Sequence, residues 1–349
     1  MKEKRALWIL AMVVVLVVAI VAGCGSDTTT TTAPAASTTV SEATTTSAAP
    51  SETTTTVAAT QKLKVSVLSA HYGSAAPKEC IDLFKQMGDA MGWDVQIHDT
   101  NGDMNALQGL YETAAVQKPD VIINGFMDVS LIQNGLKTAQ AAGIPVYGLD
   151  GNADPLEVAN ITSDNTDIGT QMAKHLAAAI GNKGNVVIMK YDQHPGVLAR
   201  ITAALKELAT YPDIKIIETH AVMYPGAIED GQTTMANLLT AHPGKGEIAG
   251  VLCGFDEPAV GCDQAIAAAG RSAEIKVVST DAIPAALAEI LKPGSSHLGT
   301  MRQDWKAVSQ KTIDLILQAV AGNPLPMGSN VEVPALWVDA SNAAQFVTQ

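Results

Sequence analysis

Basic residues are scarce in this chain. Its 22 Lys and Arg stand against 35 Asp and Glu, a formal net charge of -13 over 349 residues. Beyond Arg5 they never cluster. A surface that neutralises nucleic-acid phosphates needs such a cluster, so nucleic acid is excluded as a partner. The acidity favours solubility and tolerates neutral or cationic ligands. Cysteine is also sparse, with four residues and no Cys-x-x-Cys or Cys/His spacing, which argues against a zinc site. Gly-x-Ser-x-Gly and Gly-x-x-x-x-Gly-Lys-Ser/Thr are both absent, which speaks against esterases and P-loop enzymes. No nucleophile–base pair is apparent, so no catalytic residue, cofactor or metal is assigned. Aromatic residues make up only 4%, and those beside strand ends stand out for that reason.

A long apolar run is present at the start. Lys2, Lys4 and Arg5 precede a nearly all-apolar stretch over 6–21, and Val21-Ala22-Gly23-Cys24 follows. A basic start, an apolar centre and a small-residue site read as a secretory signal peptide over 1–23. The stretch resembles a bacterial lipobox, which makes Cys24 the lipidation site. Two acyl chains give stable anchoring at ~0.8 kcal/mol per buried methylene. The competing reading is an uncleaved signal anchor, for which the run is short against a span of roughly 20 residues. Residues 24–61 are mostly Thr, Ser, Ala and Pro. They cannot bury enough apolar surface to offset ordering entropy, so a disordered tether is expected. The rest of the chain is then extracytoplasmic, on the periplasmic or outer face, and lipid-anchored to the cell membrane.

With Cys24 set aside, Cys80, Cys253 and Cys262 remain. Cys80 falls on an apolar stripe with Phe84, Met87 and Met91 and reads as a buried small hydrophobe. Cys253 and Cys262 either bridge in an oxidising compartment or sit too far apart on a strand and its following helix.

From Lys62 onward, short β-branched runs alternate with helix-length amphipathic segments. Strands are predicted at 64–68, 95–98, 121–124, 146–149, 186–189, 214–217, 248–252 and 276–279. Helices are predicted at 78–91, 107–116, 131–142, 168–180, 198–208, 234–241, 259–269 and 283–291. Turn residues such as Gly143-Ile-Pro145 and His242-Pro243-Gly244 separate them. Alternation of this kind implies an α/β protein with parallel sheets flanked by helices. The strands are too many for one compact sheet, so two Rossmann-like lobes are expected, with a break near Ser163-Asp164-Asn165. Ligands of such sheets bind beyond the carboxyl ends of the strands. The residues there are His71 and Tyr72, Asp99, Phe126, Asp150, residues 191–194, Phe255 and Asp256, Asp281, and Gln303.

Several segments resemble the type I periplasmic binding proteins, ribose-binding branch. They are Asn237-Leu-Leu-Thr-Ala-His-Pro243, Gly254-Phe-Asp-Glu-Pro-Ala-Val-Gly261, Val146-Tyr-Gly-Leu-Asp150 with Ile161-Thr-Ser-Asp-Asn165, and Val277-Val-Ser-Thr-Asp281. The resemblance runs from about Leu63 to the C-terminus. It implies two lobes joined by a three-crossing hinge near 163–165, 303–304 and 327–330. The N-terminal lobe would comprise 62–163 plus 304–328, and the C-terminal lobe 164–303 plus 329–349. It also carries Asp150, Arg200, Asp281 and Gln303 over as ligand positions. The chain departs from the pattern where Gly151 replaces the Arg of an Asp-Arg pair, where Phe255 replaces Asn, and where His71-Tyr-Gly-Ser-Ala-Ala76 replaces the usual aromatics. These departures point away from ribose itself.

Carboxylates suit a polyol because their oxygens accept from neighbouring hydroxyls, and Arg200 adds a planar fork of donors. Asp150 and Asp281 can equally cap the helices that follow them. Tyr72, Phe255 and Trp305 can stack on a sugar face or serve ordinary packing. Tyr224 and His71 complete the candidate set, and His71 and His194 lack a third ligand for a metal. The function this supports is a lipid-anchored solute-binding protein of an ABC importer, monomeric, closing by hinge motion on a monosaccharide or polyol. Its partners would be a membrane permease and its cytoplasmic ATPase. A sensor or chemoreceptor ligand-binding protein, including one for an autoinducer-2-like ligand, is the alternative. A glycoside-processing enzyme is a weaker one. A DNA-binding regulator of the same fold would need a helix-turn-helix where the signal and tether stand.

Overall fold

The computed structural model describes residues 62–347. The expected signal peptide, lipidation site Cys24 and tether lie outside them. The parallel strands form where the sequence is apolar and β-branched on both sides of the pleat, as expected of strands covered on two faces. The first sheet contains β1 (Lys64–Ser69), β2 (Asp94–Asp99), β3 (Val121–Gly125), β4 (Val146–Leu149), β5 (Ala159–Ser163) and β11 (Ser329–Val333), in the order β11-β5-β4-β3-β1-β2. All its pairings are parallel. The second contains β6 (Lys183–Lys190), β7 (Asp213–Ala221), β8 (Gly250–Cys253), β9 (Lys276–Thr280), β10 (His297–Gln303) and β12 (Ala335–Asp339), in the order β12-β10-β9-β8-β6-β7. There β12 alone runs antiparallel, on β10.

Helices cover both faces of each sheet. On the first, α1 (Ala75–Ala90) packs with α9 (Trp305–Val320), and α2 (Met104–Gln117) with α3 (Gln133–Ala141). On the second, α4 (Asn165–Ala179) packs with α5 (Pro195–Leu208), and α6 (Ala227–Ala241) with α7 (Asp256–Ala268). The short α8 (Pro284–Ile290) lies against α7 and β10. The two paired helices on the second sheet approach so closely that a Cβ at Gly169 would overlap Arg200 O, and one at Gly261 would overlap Ile228 O. That close approach is what glycine permits.

The chain passes between the sheets three times. At two passages an Asp caps the helix on the far side: Asp164 accepts from Asp167 N at 2.9 Å, and Asp304 accepts from Ala307 N at 3.0 Å. The third passage corrects the sequence reading. It was expected over 327–330, with residues from 329 in the C-terminal lobe. Instead Ser329–Val333 pairs in parallel with β5 of the first sheet, and the chain changes sheet at Pro334. Pro334 has no N–H with which to continue a ladder. The earlier prolines only shape the turn from α9 into this edge strand.

Cys80, Cys253 and Cys262 are free, buried thiols. Cys262 Sγ donates to Gly231 O at 3.6 Å. Beneath the first sheet, Glu157 is wholly buried. Its Oε1 accepts from Asn124 Nδ2 at 2.8 Å, while Glu157 Oε2 and Asn124 Oδ1 both lack partners. Burial pushes this carboxyl up to about 8.

Two outcomes follow from this packing. Gly261→Ala forces α6 and α7 apart and costs ~1–3 kcal/mol, read as a lowered urea midpoint. A carboxyl raised on folding holds its proton in the native state, so its stability contribution is full at low pH. That contribution is lost as pH rises from about 4.5 to about 8. Glu157→Gln supplies an N–H for Asn124 Oδ1 and cannot ionise. Its melting temperature should therefore gain on the native chain as pH goes from 5 to 8.5 in thermal scans.

Candidate functional site

The carboxyl ends of the strands in both sheets face one cavity, lined by residues of both. How side chains reach it depends on unusual backbone. Phe126, Asp150, Asp281 and Ala282 follow β3, β4 and β9 with φ of 61°, 57°, 127° and 61°. Positive φ in a residue other than glycine costs roughly 1–3 kcal/mol and persists only where surroundings enforce it. Here the ladder enforces it. Phe126 N donates to Leu149 O at 2.8 Å, Asp150 N to Ile161 O at 2.8 Å, and Asp281 N to Met301 O at 2.9 Å. Asp256, wholly buried at the start of α7, holds the Asp281 turn from beneath. It accepts from Ile283 N at 2.8 Å, from Thr300 Oγ1 at 2.8 Å, and from Ser279 Oγ. Burial pushes its carboxyl up to about 7.

The polar floor joins both sheets. Asp150 Oδ1 accepts from Thr162 Oγ1 at 2.6 Å, and Asp281 Oδ1 accepts from Gln303 Nε2 at 2.8 Å. Arg200 is 2% exposed and lies 3.6 Å from Asp281 Oδ1 through Nη1. Its Nε donates to Asn165 Oδ1 and its Nη1 to Gly254 O, both at 2.9 Å. Burial raises Asp150, and raises Asp281 well above the ordinary carboxylate range; Arg200 opposes both shifts. Gln303 Oε1 is buried with no hydrogen-bond partner. His194 Nδ1 accepts from Val197 N at 3.3 Å, capping α5, and its Nε2 lies 3.6 Å from Asp150 Oδ2. Nδ1 as acceptor assigns the ring proton to Nε2. Burial holds His194 well below its ordinary pKa, and lowers His71 as well.

The walls are aromatic. His71 Nε2 meets Tyr191 Oη at 3.2 Å across the cavity, and the His71 and Tyr224 rings are 5.3 Å apart. Tyr191 lies 6.2 Å from both Tyr224 and Phe255. Burial pushes the Tyr191 and Tyr224 phenols up to about 12. A further contact ties the two sides: Glu257 Oε1 accepts from Ser74 Oγ at 2.8 Å and from Ala75 N at 3.2 Å.

Of the residues singled out from sequence, His71, Asp150, Arg200, Tyr224, Phe255, Asp281 and Gln303 line this cavity. Tyr72 and Trp305 do not. Tyr72 turns outward beside the inward His71; its hydroxyl donates to Asp82 Oδ1 at 2.7 Å and accepts from Lys78 Nζ at 3.1 Å. Trp305 is buried in the core behind Phe126, with ring centroids 5.4 Å apart. Phe126, Tyr191 and His194, named among the strand-end residues but left out of the final candidate set, also line the cavity. Each does follow a predicted strand, which was the available signal. Among the described residues, no group of three or more His, Cys, Asp or Glu is placed to hold a metal ion.

Two largely parallel sheets whose strand ends converge on one cavity with a polar floor and aromatic walls define a ligand-binding protein of the α/β class. The family model described as "Periplasmic binding protein domain" matches residues 65–324. The chain belongs to that family and has its type I fold. A D-apiose import binding protein of Actinobacillus succinogenes is 24% identical over 287 residues, 81% of this chain and 90% of its own. A xylitol-binding protein of Mycolicibacterium smegmatis is 23% identical over 284 residues, 80% of this chain and 76% of its own. The solved structure of an Agrobacterium vitis ABC transporter solute-binding protein with bound allitol is 26% identical. It has a TM-score of 0.75 and covers 82% of this chain and 98% of its own. These relatives are binding proteins, and the chain is one too, not an enzyme.

Proposed function

We propose that this protein is the solute-binding component of an ABC importer and takes a small sugar or polyol into the cavity between its lobes. The observation that carries the reading is the convergence of Asp150, Arg200, Asp281 and Gln303 from separate elements onto one buried floor. Two carboxylates and an unpartnered amide oxygen accept from hydroxyls, while the guanidinium donates to ring or hydroxyl oxygens. Tyr191, Tyr224 and Phe255 offer ring faces to the C–H side of such a ligand. The names of relatives that import D-apiose or bind xylitol, and the allitol-bound neighbour, support the same ligand class. In this reading Cys24 carries the lipid anchor, residues 24–61 form the tether, and the lobes meet at 163–165, 303–305 and Pro334. Ligand shifts the lobes toward the closed arrangement, and that surface is what the permease engages.

A thermal-shift panel of sugars and polyols tests this. A true ligand at a hundredfold excess over Kd stabilises by ~2.7 kcal/mol. Asp150→Asn should abolish that shift; a shift retained in full removes Asp150 from the site, and no shift from any member removes the ligand class. Closure has its own test. Glu257 holds the cavity-lining Ser74 and Ala75 N of the first lobe, while its own side chain lies off the cavity wall, so Glu257→Ala should weaken ligand binding roughly fivefold, the ~1 kcal/mol worth of a helix cap. The unliganded melting temperature should stay nearly constant, as calorimetric titration and thermal scans would show.

A further inference from the structure

Formal charge does not balance in the cavity. Asp150 and Asp281 are 1% and 8% exposed, and Arg200 is the one Lys or Arg on the wall. Its guanidinium is shared, with Nε on Asn165 and Nη1 on the Gly254 carbonyl. Position 151 cannot supply a second cation, because a Cβ there would stand 2.7 Å from Met127 O. His71 and His194 do not supply one either, since burial lowers both. Burial also raises both acids despite Arg200, and the Asp150 charge adds to the rise of Asp281. The floor is therefore short of positive charge and rich in acceptors, including the orphaned Gln303 Oε1. Tyr191, Tyr224 and Phe255 also line the cavity, and aromatic faces attract cations.

We propose that the cavity is built for a small hydroxylated ligand bearing a primary ammonium group, an amino sugar or aminocyclitol, with the ammonium held by Asp150, Asp281 and Gln303 Oε1. An ammonium offers three donors and no acceptor, matching three acceptor groups from two lobes. It also supplies the charge that Arg200 alone does not. A hydroxyl in the same place donates to one acceptor and brings no charge, so the buried acids must either keep a proton or lie without a counter-charge, which is costly. The inference rests on the sugar or polyol reading and narrows it.

Matched pairs test it by calorimetric titration of the protein at pH 7: glucose with glucosamine, myo-inositol with an amino-deoxyinositol, and ribitol with 1-amino-1-deoxyribitol. The expected result is that in at least one pair the amine binds at least tenfold tighter. N-acetylation, which keeps the nitrogen and removes the charge, should erase that gain. Asp281→Asn, which retains shape and tolerates left-handed backbone, should lose the amine preference while a neutral partner loses less. If neutral members bind as tightly as their amines, the ammonium inference falls and the sugar or polyol reading stands. If no amine binds and no member of the neutral panel shifts the melting temperature, both fall.

Discussion

The guanidinium of Arg200 is the constraint around which the site is organised. Two carboxylates from different sheets lie buried near it, and unpaired buried charge is among the costliest features a fold can carry. Arg200 cannot be moved to suit one acid alone. Its Nε is tied to Asn165, at the start of the helix after the first passage between sheets, and its Nη1 to Gly254 at the end of β8. One side chain thus links a passage, a strand end and the charged floor. Its backbone carbonyl also lies against Gly169, so α5 is seated on α4 with little freedom to shift. A rigid helix pair beneath a charged floor is what preorganised recognition requires.

Strained backbone completes the arrangement. Phe126, Asp150 and Asp281 leave their strands with positive φ, and that single torsion redirects each side chain into the cavity. The ladder bonds of the neighbouring strands hold the first two, and buried Asp256 adds its grip beneath the third. The cost of strain is met by groups that never reach the cavity. Asp256 and Glu257 divide the start of α7 between two tasks: the first fixes a ligand-side turn, and the second reaches across to the opposite lobe. Binding geometry and lobe contact are therefore set by adjacent residues of one helix.

Much of the architecture was legible because its causes are local. Apolar runs such as Val121-Ile-Ile and the amphipathic segments between them dictate strand and helix within a few residues. β5, β10, β11 and β12 were harder to read because their residues are polar or sit at an edge: Asn160, Thr162, Thr300 and Gln303 interrupt the apolar pattern since they serve the floor or the passages. The family resemblance placed the third passage at 327–330, where β11 begins. The actual change of sheet at Pro334 depends on β11 finding β5, a partner some 170 residues earlier in the chain.

The sequence by itself determined the α/β alternation and the placement of Asp150 and Asp281 at strand ends, because strand direction puts such residues on one rim; Arg200, on α5, was indicated only by the family resemblance. Only the tertiary structure decided which neighbours enter. His71 points inward and Tyr72 outward, Phe126 and Tyr191 form wall while Trp305 lies behind it, and Glu257 finds the other lobe. Those outcomes turn on single φ angles and on contacts between segments more than a hundred residues apart, for which periodicity carries no signal.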